Sequence, residues 1–169
     1  MKRISLKPIG VIHNRFDEND SKNLVGGVEG TIEVFPEFSE GLDYIEGFSH
    51  LIIIAFLDRL ETKKQKVLRI KFRHLMKYGI ELKEIPEVGV FCTDSPSRPV
   101  PIAITIVGLS KREDRFLYVT GLDLFDKTPV LDIKPYTPDR LVEGLKLPEW
   151  YATLLHKVSE NTGVKNPCL

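Results

Sequence analysis

Phe48-Ser49-His50-Leu51-Ile52-Ile53-Ile54-Ala55-Phe56-Leu57 reads FSHLIIIAFL. Its β-branched and aromatic residues predict a strand, and its near-continuous apolarity predicts burial on both faces. The run Leu51–Leu57 is strand-sized, far short of the roughly 20 residues a membrane span needs. On either side the chain reads mostly as short strands bounded by turn residues. Ile4–Ile12 and Gly30–Phe35 precede the run; Val67–Arg73, Val88–Thr93, Ile102–Leu109, Phe116–Gly121 and Val130–Ile133 follow it. Glu37–Tyr44, after a proline, predicts one or two helical turns. Pro148–Ser159 predicts a helix, with Pro148 in its first turn and Trp150, Leu154, Leu155 and Val158 on one face. About seven strands with peripheral helices define a mainly β fold, a mostly antiparallel, closed or nearly closed β-barrel. The expected division is a barrel over 1–138 and a small C-terminal helical extension, 139–169, packed on it.

The 169 residues suit one ordinary domain. Hydrophobic residues at 42% and charged residues at 28% exclude intrinsic disorder. The start, Met1-Lys2-Arg3-Ile4-Ser5, lacks an apolar signal region, so export is not expected. Cys92 and Cys168 make no disulfide framework, which fits a reducing cytoplasm. Cys92, at an apolar strand end, is expected to be a small buried thiol.

Several chemistries have no motif here. There is no phosphate loop and no nucleophile elbow. Val25-Gly26-Gly27-Val28-Glu29-Gly30 leads into a strand rather than a helix, so it is read as a hairpin or flexible edge and not a dinucleotide fingerprint. His13, His50, His74 and His156 lie at no metal-ligand spacing, so no metal is expected. His50 is read as a hydrogen-bonded structural histidine.

The net charge is zero, which does not indicate a strongly basic nucleic-acid binder. The distribution is uneven. Residues 59–83 hold nine Lys/Arg and two Asp/Glu, a local +7; residues 16–46 hold nine Asp/Glu and one Lys, a local −8. The basic stretch either faces phosphate, or is a solvated hairpin, or pairs with the acidic stretch across a subunit contact.

Two segments carry the most chemistry. In GVFCTDSPSRPVPIAI (89–104), Pro96, Pro99 and Pro101 fix three φ angles and remove three donors. They push Ser95, Arg98 and Val100 toward extended backbone. A stiff loop suits a binding wall with Arg98 as a pre-positioned donor. It equally suits a barrel corner in which Arg98 ties down carbonyls. In GLDLFDKTPVLDIKPY (121–136), Asp123, Asp126 and Asp132 lie within ten residues. Asp126 can cap turn donors, and Asp132 shares a strand face with Lys134 and can pair with it. These carboxylates either hold ribose hydroxyls, an amine or a cation, or cap a turn and form one surface ion pair.

Taken in order, PIGVI (8–12), EGFSHLIII (46–54), GVFCTDSPSRPVPIA (89–103) and GLDLFDKTPVLDIKPY (121–136) resemble the TsaA-like family, also called TrmO or YaeB-like. The resemblance covers about residues 6–138. It implies a barrel-like, homodimeric protein that binds S-adenosyl-L-methionine (AdoMet). It implies methylation of the exocyclic amine of threonylcarbamoyladenosine, next to the anticodon of tRNA. It implies cofactor contacts at Asp58-Arg59, at Asp94, Arg98 and Ile104, at Asp123-Leu124-Phe125-Asp126, and in an N-terminal loop within Asp20–Asn23. Where the family's proline loop carries arginine, asparagine and glycine, this chain has Asp94, Val100 and Ala103. Asp58-Arg59 replaces a histidine-glutamine pair. With this substrate, Lys63, Lys64, Lys66, Arg69, Lys71 and Arg73 would track phosphates of the anticodon loop. Asp132, Lys134 and Tyr136 are candidates for accepting the amine proton. A methyltransferase acting on another substrate, and a non-enzymatic module that binds cofactor or RNA, are the alternatives that the loop departures leave open.

Overall fold

The computed structural model describes residues 4–15 and 27–164. The Asp20–Asn23 loop and Cys168 lie outside the described residues. The chain divides into two compact units. One takes the described residues up to Arg59 together with Pro101–Leu141; the other takes Leu60–Val100 and the described residues from Val142. A single boundary at 138/139 is the expectation from sequence. The units instead interleave, because the chain leaves the barrel after Arg59 and re-enters at Pro101.

The first unit is a closed barrel of six strands, every pairing antiparallel. β1 (Gly10–His13), β2 (Val28–Val34) and β3 (His50–Phe56) lie before the second unit in sequence. β6 (Ile102–Glu113), β7 (Phe116–Leu122) and β8 (Pro129–Pro135) lie after β4 (Arg69–Ile70) and β5 (Val88–Gly89), two short strands of the second unit. The order around the barrel is β1-β2-β7-β6-β3-β8. β1 closes it: Gly10 faces Val34 on one side and Val130 on the other. A Cβ at Gly10 would lie 2.3 Å from the Glu33 carbonyl oxygen, so only glycine lets the strands approach here. Gly27, at φ +72°, packs against the backbone of Gly121 in the same way, which makes the glycine-rich approach to β2 a close contact rather than a flexible edge.

β3 is a strand as expected, but it is buried on one face only. Leu51, Ile53 and Ala55 are fully buried in the core, whereas Ile52, Ile54 and Phe56 are half-buried on the outside. A barrel strand has one core face. The continuous apolar run arises because its outer face is apolar too, opposite Ile104 and Ile106 of β6. Pro36–Leu42 forms 3-10 turns within the expected helical stretch.

The second unit contains β4 (Arg69–Ile70), β5 (Val88–Gly89) and helix α1 (Glu149–Thr162). The strands expected over 67–73 and 88–93 shrink to two residues each. A 3-10 turn over Arg73–Tyr78 brings Phe72 and Leu75, three apart, onto one buried side. They form a core with Ile80, Ile85, Leu154 and Val158 of α1. A second 3-10 turn, Val90–Cys92, rotates Cys92 outward, so the thiol is exposed and not buried. Pro148 sits just before the helix instead of inside it, and its carbonyl accepts the N–H groups of Tyr151 and Ala152, both at 3.0 Å. Gly163, in the left-handed conformation, ends the helix.

Ile53→Ala should destabilise the fold by about 2–5 kcal/mol, read from urea unfolding, because Ile53 is fully buried and the barrel can relax only in part around the void.

Candidate functional site

One rim of the barrel collects the end of β1, the end of β3, and the turn that joins β7 to β8. The turn is fixed from three directions. Asn14, just after β1, donates its backbone N–H to Asp126 Oδ1 (3.2 Å) and its side-chain Nδ2–H to the Leu124 carbonyl (2.7 Å). Arg59, just after β3, donates to the Asp126 carbonyl oxygen. Lys127 donates its N–H to the Ile12 carbonyl (2.8 Å), and Ile12 donates to Thr128 (3.0 Å). Leu124 and Thr128 are buried beneath the turn. Lys127 takes φ +64°, a conformation that non-glycine residues seldom hold without such support.

These bonds use backbone oxygens and one carboxylate oxygen of Asp126. Asp123 is exposed, and no hydrogen bond or ion pair among the described residues engages it. Asp126 Oδ2 lies 4.0 Å from Lys127 Nζ. The rim therefore presents carboxylate oxygens on a rigid turn, an arrangement suited to hydroxyls or an ammonium group.

A chain of charges braces the same region on the outer face. Lys127 Nζ lies 3.0 Å from His13 Nδ1, and His13 Nε2 lies 2.6 Å from Glu33 Oε2. Arg115 pairs with the other oxygen of Glu33. The Arg115 and His13 hydrogen bonds hold the Glu33 carboxyl below its ordinary value.

The structure thus brings together Asp58, Arg59, Asp123, Leu124, Phe125 and Asp126 in the barrel unit. Ile104 stands on the outer face of β6, 69% exposed, two residues in from the rim. Asp132 and Lys134 pair at 2.6 Å on the outer face of β8, as their spacing predicts. Tyr136 lies beyond the far end of β8, with its N–H on the His50 carbonyl (3.0 Å). Tyr136 stands seven residue steps from Pro129, a rise of about 23 Å, so Lys134 and Tyr136 are not gathered with the turn. At that far end a cleft of about 550 Å³ is lined by Leu42, Tyr44, Phe48, Asp132 and Pro135, among others. His50 bonds its own neighbour, with Nδ1 3.0 Å from Ser49 Oγ.

Asp94 and Arg98 belong to the second unit. Arg98 donates to the Thr93 carbonyl (3.1 Å), so it does tie down a carbonyl of its own loop. Asp94 is exposed. In the basic stretch, Lys63 pairs with Glu61 (3.3 Å) and Arg69 with Glu87 (3.2 Å). Lys64, Lys66, Lys71 and Arg73 make no ion pair among the described residues. There, no group of three His, Cys, Asp or Glu could hold a metal, and no helix is long and apolar enough to cross a membrane.

Sequence reasoning missed Asn14 and the Lys127–His13–Glu33–Arg115 chain. The one available signal was an amide residue directly after β1; its partners lie more than 100 residues away.

The fold is a six-stranded antiparallel barrel with an acidic, clamped turn on one rim. Residues 11–140 match the family described as tRNA-methyltransferase O N-terminal domain, and the chain belongs to that family. It is 38% identical over 161 residues to a Pyrococcus abyssi protein named "Probable S-adenosyl-L-methionine-binding protein", covering 93% of this chain and 81% of that one. A 53-residue stretch is 51% identical to a mouse tRNA (adenine(37)-N6)-methyltransferase, covering 31% of this chain and 12% of the mouse protein. The crystal structure of TrmO from Pseudomonas aeruginosa superposes with a TM-score of 0.65 at 28% identity. That match covers 88% of this chain and 62% of the TrmO chain, so this chain spans under two thirds of the solved protein.

Glu33→Gln should remove a pH-dependent part of the stability. The folded carboxyl titrates below its unfolded value of about 4.3, so its contribution is complete above that value and fades as pH falls through the folded one. The gap between wild type and variant in chemical unfolding should narrow progressively as pH falls from the ordinary carboxylate value through the lower folded one.

Proposed function

We propose that the protein is an AdoMet-dependent methyltransferase acting on the exocyclic amine of threonylcarbamoyladenosine beside the tRNA anticodon, in the reducing cytoplasm. The observation that carries this reading is the clamped Asp123–Asp126 turn at the barrel rim, in a chain of the tRNA-methyltransferase O N-terminal family.

The residues present fit the cofactor. Ribose hydroxyls and an α-ammonium need acceptors, and Asp123 with Asp126 Oδ2 supplies them. Exposed Ile104 gives an apolar surface suited to an adenine ring. Asp58, Arg59, Leu124 and Phe125 complete the barrel's share, with Asp94 and Arg98 as the second unit's candidates. When bound, the cofactor supplies a methyl group already activated on a sulfonium. The protein then chiefly aligns donor and acceptor. Carboxylates directly at the sulfonium would stabilise the charge that disperses during transfer, so Asp123 and Asp126 serve best at the ribose and ammonium. Of the three candidate proton acceptors, Asp132 stands nearest the rim turn along β8, and Lys134 cannot accept a proton while it is an ammonium ion. Lys63, Lys64, Lys66, Arg69, Lys71 and Arg73 would track phosphate.

The protein is also proposed to work as a homodimer. Exposed Ile106 on the outer face of β6, with half-buried Ile52 opposite it on β3, offers an apolar strip for a second copy to cover. Asp94 supports a second reading, a methyltransferase with another substrate or a binding module, because it puts an anion where the family carries arginine.

Calorimetric titration should show saturable AdoMet binding near one site per chain, weakened about ten-fold or more by Asp126→Ala. Threonylcarbamoyladenosine-bearing tRNA should gain one methyl group, seen by nucleoside mass spectrometry. No binding at millimolar cofactor would sink both methyltransferase readings. Binding with transfer only to other acceptors would leave the second. Asp94→Arg should tighten cofactor binding if the family site is merely weakened.

A further inference from the structure

Phe91 is a large aromatic side chain left 75% exposed on a backbone that is held unusually well. It sits at the middle of the 3-10 turn Val90–Cys92. Val90 is buried, and its N–H binds the Leu68 carbonyl at 3.0 Å. The Val90 carbonyl accepts both the N–H (3.2 Å) and the hydroxyl (2.9 Å) of Thr93. The Thr93 carbonyl accepts from Arg98 (3.1 Å), and Thr93 Oγ1 accepts from the Ser95 N–H (3.2 Å). The stiff proline loop therefore acts as a brace for the turn that lifts Phe91 into solvent.

An isolated exposed apolar residue needs no explanation, but this one is not isolated. Leu68, whose carbonyl bonds Val90, is 61% exposed. Two residues before it lies Lys66, in the 3-10 turn Lys64–Lys66. Next to it Arg69 is steered by Glu87, through Nε to the carboxylate (3.2 Å) and through Nη2 to the carbonyl (3.3 Å). An exposed ring on a pre-ordered backbone, with Arg69 held by Glu87 and with Lys64 and Lys66 making no ion pair among the described residues, matches the chemistry of single-stranded nucleic acid. The ring stacks on an unpaired base and the lysines meet the phosphates. Little ordering entropy is lost on binding.

We propose that Phe91 is a stacking platform for an unpaired base of RNA, with Leu68 beside it and Lys64 and Lys66 on the neighbouring phosphates. This rests on the tRNA reading above and names where a splayed base would lie on the second unit. It is independent of the carboxylate turn on the barrel.

The full chain is titrated with a fluorescently labelled single-stranded oligoribonucleotide, with unlabelled RNA duplex as competitor. Phe91→Ala should weaken single-strand binding about ten-fold and abolish the preference for single strand over duplex. Phe91→Trp should restore both. The Lys64→Ala/Lys66→Ala double variant should lower the salt slope by about 1.4 while keeping the single-strand preference. Wild-type affinity and preference in Phe91→Ala would overturn the proposal and leave the tRNA reading standing. A change of oligomeric mass in Phe91→Ala with RNA binding intact would also overturn it, assigning the ring to a contact between copies. No RNA binding by the wild type at low salt would overturn the tRNA reading and this proposal together.

Discussion

The barrel depends on four residues, Gly10–His13, hydrogen-bonded on both edges. A sheet with free edges would expose unpaired N–H and C=O groups; closure removes that liability. It needs the backbones of β1 and β2 to come close enough that a Cβ at Gly10 would strike the Glu33 carbonyl oxygen. The same short strand sets the rim of the candidate site. Ile12 exchanges backbone hydrogen bonds with Lys127 and Thr128, and Asn14, two residues on, grips Leu124 and Asp126. A change that loosens closure therefore loosens the turn, since both hang on one strand.

The two units divide the chemistry differently from the linear sequence. The barrel holds the acidic turn and its clamps. The second unit holds most of the basic stretch, the proline loop and the exposed Phe91. Each has its own buried core, one around Ile32, Ile53 and Leu117 and the other around Leu75, Ile85 and Leu154. Arg98 illustrates how a structural bond leaves room for the binding role proposed for it. Its guanidinium carries five donors, and one is assigned to the Thr93 carbonyl. The remaining donors keep the residue available to a ligand.

Much of the fold was legible because β-branched runs between turn residues have few alternatives. The closed antiparallel sheet followed from the number and length of those runs. Residues 51–57 misled on burial because an apolar outer face erases the alternation that reveals a one-sided strand. Around 67–73 and 88–93 the apolar residues fit a strand period, but one 3-10 turn packs Phe72 and Leu75 against α1, a long-range contact, and another turns Phe91 and Cys92 outward. The site was legible where its logic is local. Asp132 and Lys134 pair because residues two apart share a face, and Asp126 caps a donor as a turn aspartate should. That the donor belongs to Asn14, 112 positions away, is a property of the closed barrel and has no trace in the turn's own sequence.

The way Arg59 is used explains how the turn can be both rigid and acidic. An arginine bidentate on the Asp126 carboxylate would fix the turn equally well, yet it would neutralise the group and fill its lone pairs. Arg59 instead donates to the Asp126 backbone oxygen. Asn14, a neutral residue, takes one carboxylate oxygen through its N–H. The nearest side-chain cation, Lys127, sits 4.0 Å from Oδ2 and 3.0 Å from His13 Nδ1, so its charge is directed toward the imidazole, with Glu33 and Arg115 behind it. The turn is thus anchored through atoms a ligand does not need. Asp123 and one oxygen of Asp126 remain directed outward as acceptors, and a positively charged or hydroxyl-rich ligand meets a site whose geometry is already fixed.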